Sequence, residues 1–196
     1  MIRARLALCG VIGLAALLVT SCDGGQNPGA RTPPADPGVV TDAAPYLCDL
    51  VPEQSLRKAT AVQGPLDDKW SNGPQPDDGL CLAFAAGREA PLGVHWSYKD
   101  GLDVLRRQQK LWADDSPHPL PRELGTGLAV IRPTFGADPR PNYVIALFKC
   151  GQKKAWISID FARVVRGRDA VQDMFDFMRI AEKRFGELHK CTPRPS

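Results

Sequence analysis

Three histidines and six cysteines are the residues of this 196-residue chain best suited to nucleophilic, acid–base or metal chemistry. His95 lies in an alternating apolar stretch, His118 in Ser116-Pro117-His118-Pro119, and His189 two residues before Cys191. No Gly-x-Ser-x-Gly elbow presents a serine, and no His-Glu-x-x-His pair places two imidazoles on one helix face. Asp68-Lys69-Trp70-Ser71-Asn72-Gly73 begins like a calcium loop, but Trp70 occupies a ligand position and the twelfth residue is Gly79 instead of Glu. The pairs Asp67-Asp68, Asp77-Asp78 and Asp114-Asp115 therefore read as solvated turns. Gly125-Thr126-Gly127 lacks the strand-turn-helix setting of a phosphate loop. Arg163, Arg166 and Arg168 read as a wet connection, although such a cluster could meet anionic headgroups. The expectation is a binding protein with no catalytic residue, metal or cofactor. The alternative is a hydrolase or transferase acting on envelope material, assembled from distant residues such as a Ser or Asp beside His95.

Aromatic residues offer the more promising surface. Val94, Trp96 and Tyr98 alternate on one face of a strand, and Trp156 points opposite the apolar stripe Ile157, Ile159 and Phe161 of its own strand. Aromatic platforms bind sugars, lipids and peptides because they combine apolar area with a polar handle. Trp96, Tyr98 and Trp156 are thus expected to border a ligand-binding cleft on the sheet face away from the C-terminal helix. The competing expectation is a second core layer, covered by a helix over Leu102 to Trp112.

The N-terminus decides the compartment. Arg3 and Arg5 precede a run of about 14 mostly apolar residues, Leu6 to Val19, too short to span a bilayer comfortably. Val19-Thr20-Ser21-Cys22 then resembles the lipobox of bacterial lipoprotein precursors. That resemblance implies a signal peptide over residues 1–21 and a diacylglyceryl group on the Cys22 thiol. It also implies anchorage on the extracytoplasmic face of the cell membrane, held by paired acyl chains. Residues 22–44, with four prolines and four glycines between Asp23 and Ala44, cannot offset their ordering entropy and read as a disordered tether. Without Arg3 and Arg5 the 25 basic residues nearly balance 22 acidic ones, which excludes nucleic acid as a partner. The partners expected are the membrane, through the anchor, and an envelope lipid, glycan or protein.

Residues 45–196 are long enough for one extracytoplasmic domain. With Cys9 in the signal segment and Cys22 lipidated, Cys48, Cys81, Cys150 and Cys191 remain, an even number that fits two disulfides in an oxidising compartment. Tyr143 to Phe148 reads as a buried strand, Gly151 to Lys154 as a turn, and Ala155 to Arg163 as the returning strand. Asp169, with Gln172 three residues on, has the pattern of a capping box before a helix whose stripe is Val171, Met174, Phe175, Met178, Ala181, Phe185 and Leu188. The strand travels roughly 30 Å from the turn. The helix returns roughly 32 Å, so Cys191 comes back to Cys150. Cys48 pairs with Cys81 by elimination.

A short helix is expected over Pro52 to Thr60, a hairpin from Leu80 to Ala86 and Leu92 to Tyr98 around 87–89, and another strand from Gly127 to Arg132. The segments 63–79 and 116–127 read as loops. This order predicts an α+β fold: an antiparallel sheet of about five strands packed against helices, with a long C-terminal helix and two disulfides. The stretch "CDLVPEQSLRKA" from Cys48, with Cys81 33 residues on and a Pro-rich tether before it, resembles a group of small actinobacterial lipoproteins. Their cysteine-bounded extracytoplasmic domain has no known function. In that group a Thr often stands where this chain has Val51, and a Trp where it has Ala83. The resemblance implies an envelope location and a disulfide-stabilised α+β domain, and it brings no catalytic residues with it.

Overall fold

A computed structural model describes residues 38–71, 77–86, 90–132 and 139–196. The signal segment, Cys22 and the turn at 87–89 lie outside the described residues. The hairpin of β1 (Tyr46–Leu47) and β2 (Val51–Pro52) leads into α1 (Glu53–Thr60). A first meander follows, β3 (Leu66–Ser71), β4 (Asp78–Ala85) and β5 (Leu92–Ser97), and then α2 (Gly101–Leu111). The second meander is β6 (His118–Pro119), β7 (Thr126–Ile131), β8 (Asn142–Cys150) and β9 (Lys153–Phe161). α3 (Ala170–Leu188) and β10 (Pro193–Pro195) complete the domain.

The two meanders join where β5 pairs antiparallel with β9, from Leu92 opposite Phe161 to Ser97 opposite Trp156. The resulting order is β3-β4-β5-β9-β8-β7-β6, with β10 pairing the end of β8 beyond the reach of β7. The class is α+β, with a large antiparallel sheet and a C-terminal helix. The sheet has eight strands, however, not about five. The three extra strands hide for physical reasons. β3, read as loop, is an edge strand whose outward Asp67 and Lys69 discourage further pairing, so it lacks apolar alternation. β6 has two residues, and β10 carries two prolines, which a strand tolerates only at an edge or an end.

Alternation divides the sheet into two faces. Val94 and Trp96 of β5, Ile157, Ile159 and Phe161 of β9, and Val144, Ala146 and Phe148 of β8 meet α3 through Met174, Phe177, Met178, Ala181 and Phe185. Phe177 is fully buried and Leu188 is about half exposed, so the helical stripe is rotated slightly from the expected one. The Asp169 carboxylate accepts from the Val171 and Gln172 amides at 3.0 Å, while the Gln172 side chain bonds Asp176 instead of closing a full capping box. On the opposite face Leu105 of α2 covers Leu128, Val130, Ile145, Leu147 and Trp156. That cover is partial, since Leu80 and Phe84 of β4 are each 41% exposed.

Cys48 is bonded to Cys81 and Cys150 to Cys191, with Cα separations of 5.8 and 5.3 Å. The described end of the segment read as tether, residues 38–44, is fixed to the domain. Val40 is buried, the Thr41 amide donates to Ser55 Oγ at 2.9 Å, and Asp42 pairs with Lys183 at 2.7 Å. A Val among prolines and glycines finds a home in the core, and polar partners satisfy its neighbours. Arg168, read as solvated, is buried against Asp173 at 2.7 Å. Replacing both Cys150 and Cys191 by Ala is expected to cost about 3–4 kcal/mol, because a loop of this length loses its closure in the unfolded chain. A urea titration should show the lower midpoint; an unchanged one would mean the bond contributes nothing.

Candidate functional site

Trp96 and Trp156 do not share a face. Their strands pair so that Trp96 stands opposite Ile157, and residues directly opposite point the same way. Trp96 therefore faces α3, with its ring centroid 5.2 Å from Phe185 and 4.6 Å from His189. Tyr98 lies on that side too, 5.8 Å from His189, with Lys153 Nζ 4.6 Å over its ring. Trp156 alone lies on the face away from the C-terminal helix, edge-on to His95 at 4.6 Å. Tyr98 and Trp156 line one cleft and Trp96 does not, which corrects the expectation that all three border it.

A cleft of about 630 Å³ does lie beside Trp156, between the start of α2 and the β8–β9 hairpin, lined by Leu102, Leu147, Lys149 and Lys154. Gly101 makes the approach possible: a Cβ there would lie 2.8 Å from the Trp156 indole. Trp156 is nevertheless only 4% exposed, and its indole N–H donates to the Lys99 carbonyl at 2.7 Å. It serves chiefly as core.

A second aromatic cleft, about 190 Å³, opens on the α3 face. Its lining includes Trp70, Trp96, Phe185 and His189, with Asp49 and Asp78 at the border. The strand register explains it. Trp70 of β3 stands opposite Cys81, and Trp96 of β5 opposite Gly79, so the two indoles flank Gly79 of β4 from both sides. A side chain at Gly79 would place Cβ 2.5 Å from Trp96 Nε1 and 2.7 Å from Trp70 Cζ3. The end of α3 forms one wall, with His189 stacked on Phe185 at 4.0 Å. The loop at Asp49 and Leu50, held by the Cys48–Cys81 bond, forms another. Cys48 and Asp49 both have positive φ, 51° and 59°, which turns this loop sharply over the cleft.

The polar groups here are unspent. Of four tryptophans, Trp156 gives its N–H to Lys99 and Trp112 gives its own to Gln108 Oε1 at 2.8 Å. Trp70 and Trp96 have no such acceptor among the described residues, although Trp96 is only 5% exposed. Neither indole nitrogen is a buried orphan, however, since each keeps contact with solvent. The Asp49 carboxylate makes no ion pair or hydrogen bond among the described residues, whereas the Asp78 side chain, next to Gly79 in β4, turns to the opposite face and acts on His95. Burial and the nearby Lys153 lower the pKa of His189, which favours the neutral ring over the helix-end cation its position suggests.

Two other groups bear on chemistry. Cys48, Asp68 and Cys81 are close enough to hold a metal ion, but both sulfurs are spent in the disulfide and Asp68 accepts the Cys48 amide. Ser158 stands beside His95 across the β5–β9 pair, yet it is buried and bonded to the Tyr143 hydroxyl. Glu182 of α3 is only 6% exposed, and its Oε1 has no partner. It lines a cleft of about 650 Å³ with Glu123, Arg179 and Lys190. Burial raises its carboxyl to about 8, against the pull of Arg179. The sequence signal was available, since Glu182 follows buried Met178 by four residues on the apolar stripe. Trp70 was harder to see, because it lay in a segment read as loop. No known family model matches the chain, and neither a curated protein nor a solved structure shows significant similarity to it.

Glu182 stays protonated in the fold at neutral pH, whereas the unfolded chain ionises it near 4.5. The stability linked to it is complete below about pH 4.5 and is lost as pH rises toward 8. Glu182→Met should therefore stabilise the domain at pH 8 by as much as about 3 kcal/mol and change little at pH 4. Thermal melts across this range check it; equal shifts at both pH values would refute the linkage.

Proposed function

We propose that this chain is a lipid-anchored cell-envelope lipoprotein whose domain is a non-catalytic binding module, with its ligand site in the Trp70–Trp96 cleft. The observation that carries the reading is the convergence of Trp70, Trp96, Phe185 and His189 on one cleft, with the exposed Asp49 at its border. A pocket lined by aromatics with a few convergent polar groups is the usual form of a small-molecule site. Cys22, lipidated and then made the N-terminus by removal of residues 1–21, holds the protein on the extracytoplasmic face of the cell membrane. The two disulfides and the Pro- and Gly-rich segment before the domain support that placement.

An envelope-acting hydrolase or transferase is the second reading, and Glu182 is the observation that favours it. A carboxyl protonated at neutral pH beside an open cleft is the form a general acid takes. The binding reading is preferred because Trp70, Trp96, Phe185 and His189 line one cleft together, against a single orphan oxygen at Glu182.

Two outcomes are expected. Trp70→Ala in the full chain should weaken binding to an envelope lipid and glycan extract by about 1–3 kcal/mol, followed by tryptophan fluorescence. Equal affinity of variant and wild type would remove the cleft from consideration. For the anchor, Cys22→Ala should abolish labelling by a clickable fatty acid and leave the precursor unprocessed. Labelling that persists in the variant would exclude Cys22 as the lipid site.

A further inference from the structure

We infer that the groove between the start of α2 and the β8–β9 hairpin binds a phosphate-bearing amphiphile. Its phosphoryl group rests on Lys149, Lys154 and Arg194, and its apolar part lies against Leu102 and Leu147. This site is separate from the Trp70–Trp96 cleft and does not depend on it. A row of like charges marks the place. Lys149 of β8 stands directly opposite Lys154 of β9 on one side and Arg194 of β10 on the other. Directly opposed residues point to the same face, here the one that carries Leu147 and Trp156. Neighbouring strands lie about 4.8 Å apart, so these three cations are rooted within about 10 Å. Like charges in such positions destabilise a sheet. None of these side chains makes an ion pair or hydrogen bond among the described residues.

A phosphoryl group is the complement of that row. It offers three strong acceptor oxygens in one compact anion, whereas a carboxylate offers two. The Arg194 guanidinium can hold it through two parallel N–H donors, and the lysine ammonium groups add point charges. The nearby acids leave the row uncompensated. Asp103 pairs with Arg106 at 3.4 Å, and Asp100 borders the groove without pairing to either lysine. Shape points the same way. Lys149 and Lys154 line a groove of about 630 Å³ whose other walls include Leu102, Leu147 and the Trp156 indole. Leu102, at the lip, is 49% exposed. A free phosphate ion would fill little of that space and cover none of its apolar wall. An uncharged acyl chain would leave the row as it stands. A molecule with both parts neutralises the one and takes the other out of water.

The probe is dihexanoyl phosphatidic acid below its micellar concentration, titrated by calorimetry into the full chain and followed by the methyl resonances of Leu102 and Leu147. Binding that shifts both sets of methyl groups is expected. Lys149→Gln, Lys154→Gln and Arg194→Gln should each weaken it about fivefold or more. Their melting temperatures should match or exceed that of the wild type, because a repulsion has been removed. Lys153→Gln takes the same charge from the opposite face, where Lys153 pairs with Asp77 at 3.4 Å, and should change affinity by less than about twofold. Leu102→Ser should weaken the lipid and leave glycerol phosphate unaffected. Glycerol phosphate or inorganic phosphate binding as tightly as the lipid would overturn the apolar half and leave a phosphate site. Decanoate binding as tightly would overturn the phosphate assignment. Equal losses in Lys153→Gln and Lys149→Gln, or no binding of any probe, would overturn the site itself. The Trp70–Trp96 cleft stands or falls on its own titration.

Discussion

The six-residue pairing of β5 with β9 is the interaction on which the rest of the domain depends. It is the seam between two meanders about 60 residues apart in sequence, and each meander is otherwise local. Its register matters more than its strength. A one-residue slip would turn every side chain of one strand to the other face, exchanging Val94 and Trp96 for His95. The buried stripe Ile157, Ile159 and Phe161 of β9 forces Leu92, Val94 and Trp96 to the same side, under α3. That choice gathers Trp96, Phe185 and His189 into one cluster and leaves Trp156 to the smaller core beneath α2.

The disulfides hold the two ends of this arrangement. Cys150–Cys191 fastens the chain just past α3 to the β8 end, where β10 adds three paired residues. Phe185 and His189 are thereby presented to the sheet at a fixed height. Cys48–Cys81 pins the loop before α1 onto β4, two residues from Gly79. One bond therefore sets the position of Asp49, and the other that of the helix end facing it. The cleft between them exists because β4 carries glycine opposite Trp96 of β5 and diagonal to Trp70 of β3. A small residue flanked by two large ones leaves an edge-lined gap that a more uniform packing would fill.

Among the described residues, one buried oxygen without a partner marks where α3 departs from an all-apolar interior. Glu182 carries a carboxyl into a mostly apolar surrounding and answers by holding its proton. Trp96 cannot answer in that way, since an indole N–H does not titrate at any ordinary pH. Its Nε1 keeps contact with solvent instead. A buried carboxyl can neutralise itself, whereas an indole N–H keeps its hydrogen bond by staying within reach of water.

The sequence by itself determined much of the local structure. The apolar alternation of β8 and β9, the Asp169 cap and stripe of α3, and the length match between that strand and helix all follow from short-range periodicity. The faces of Trp96 and Trp156 within their own strands were legible as well, since successive side chains must alternate. Only the tertiary structure decided how those two faces correspond, because register between strands 60 residues apart is set by shared burial and not by any local pattern. The same limit hid β3 and β10, whose pairing partners supply the regularity their own residues lack. It also hid the candidate site: Asp49, Trp70, Gly79, Trp96 and His189 come from five separate segments. Each looks ordinary in its own neighbourhood, and only the sheet order and two disulfides make them adjacent.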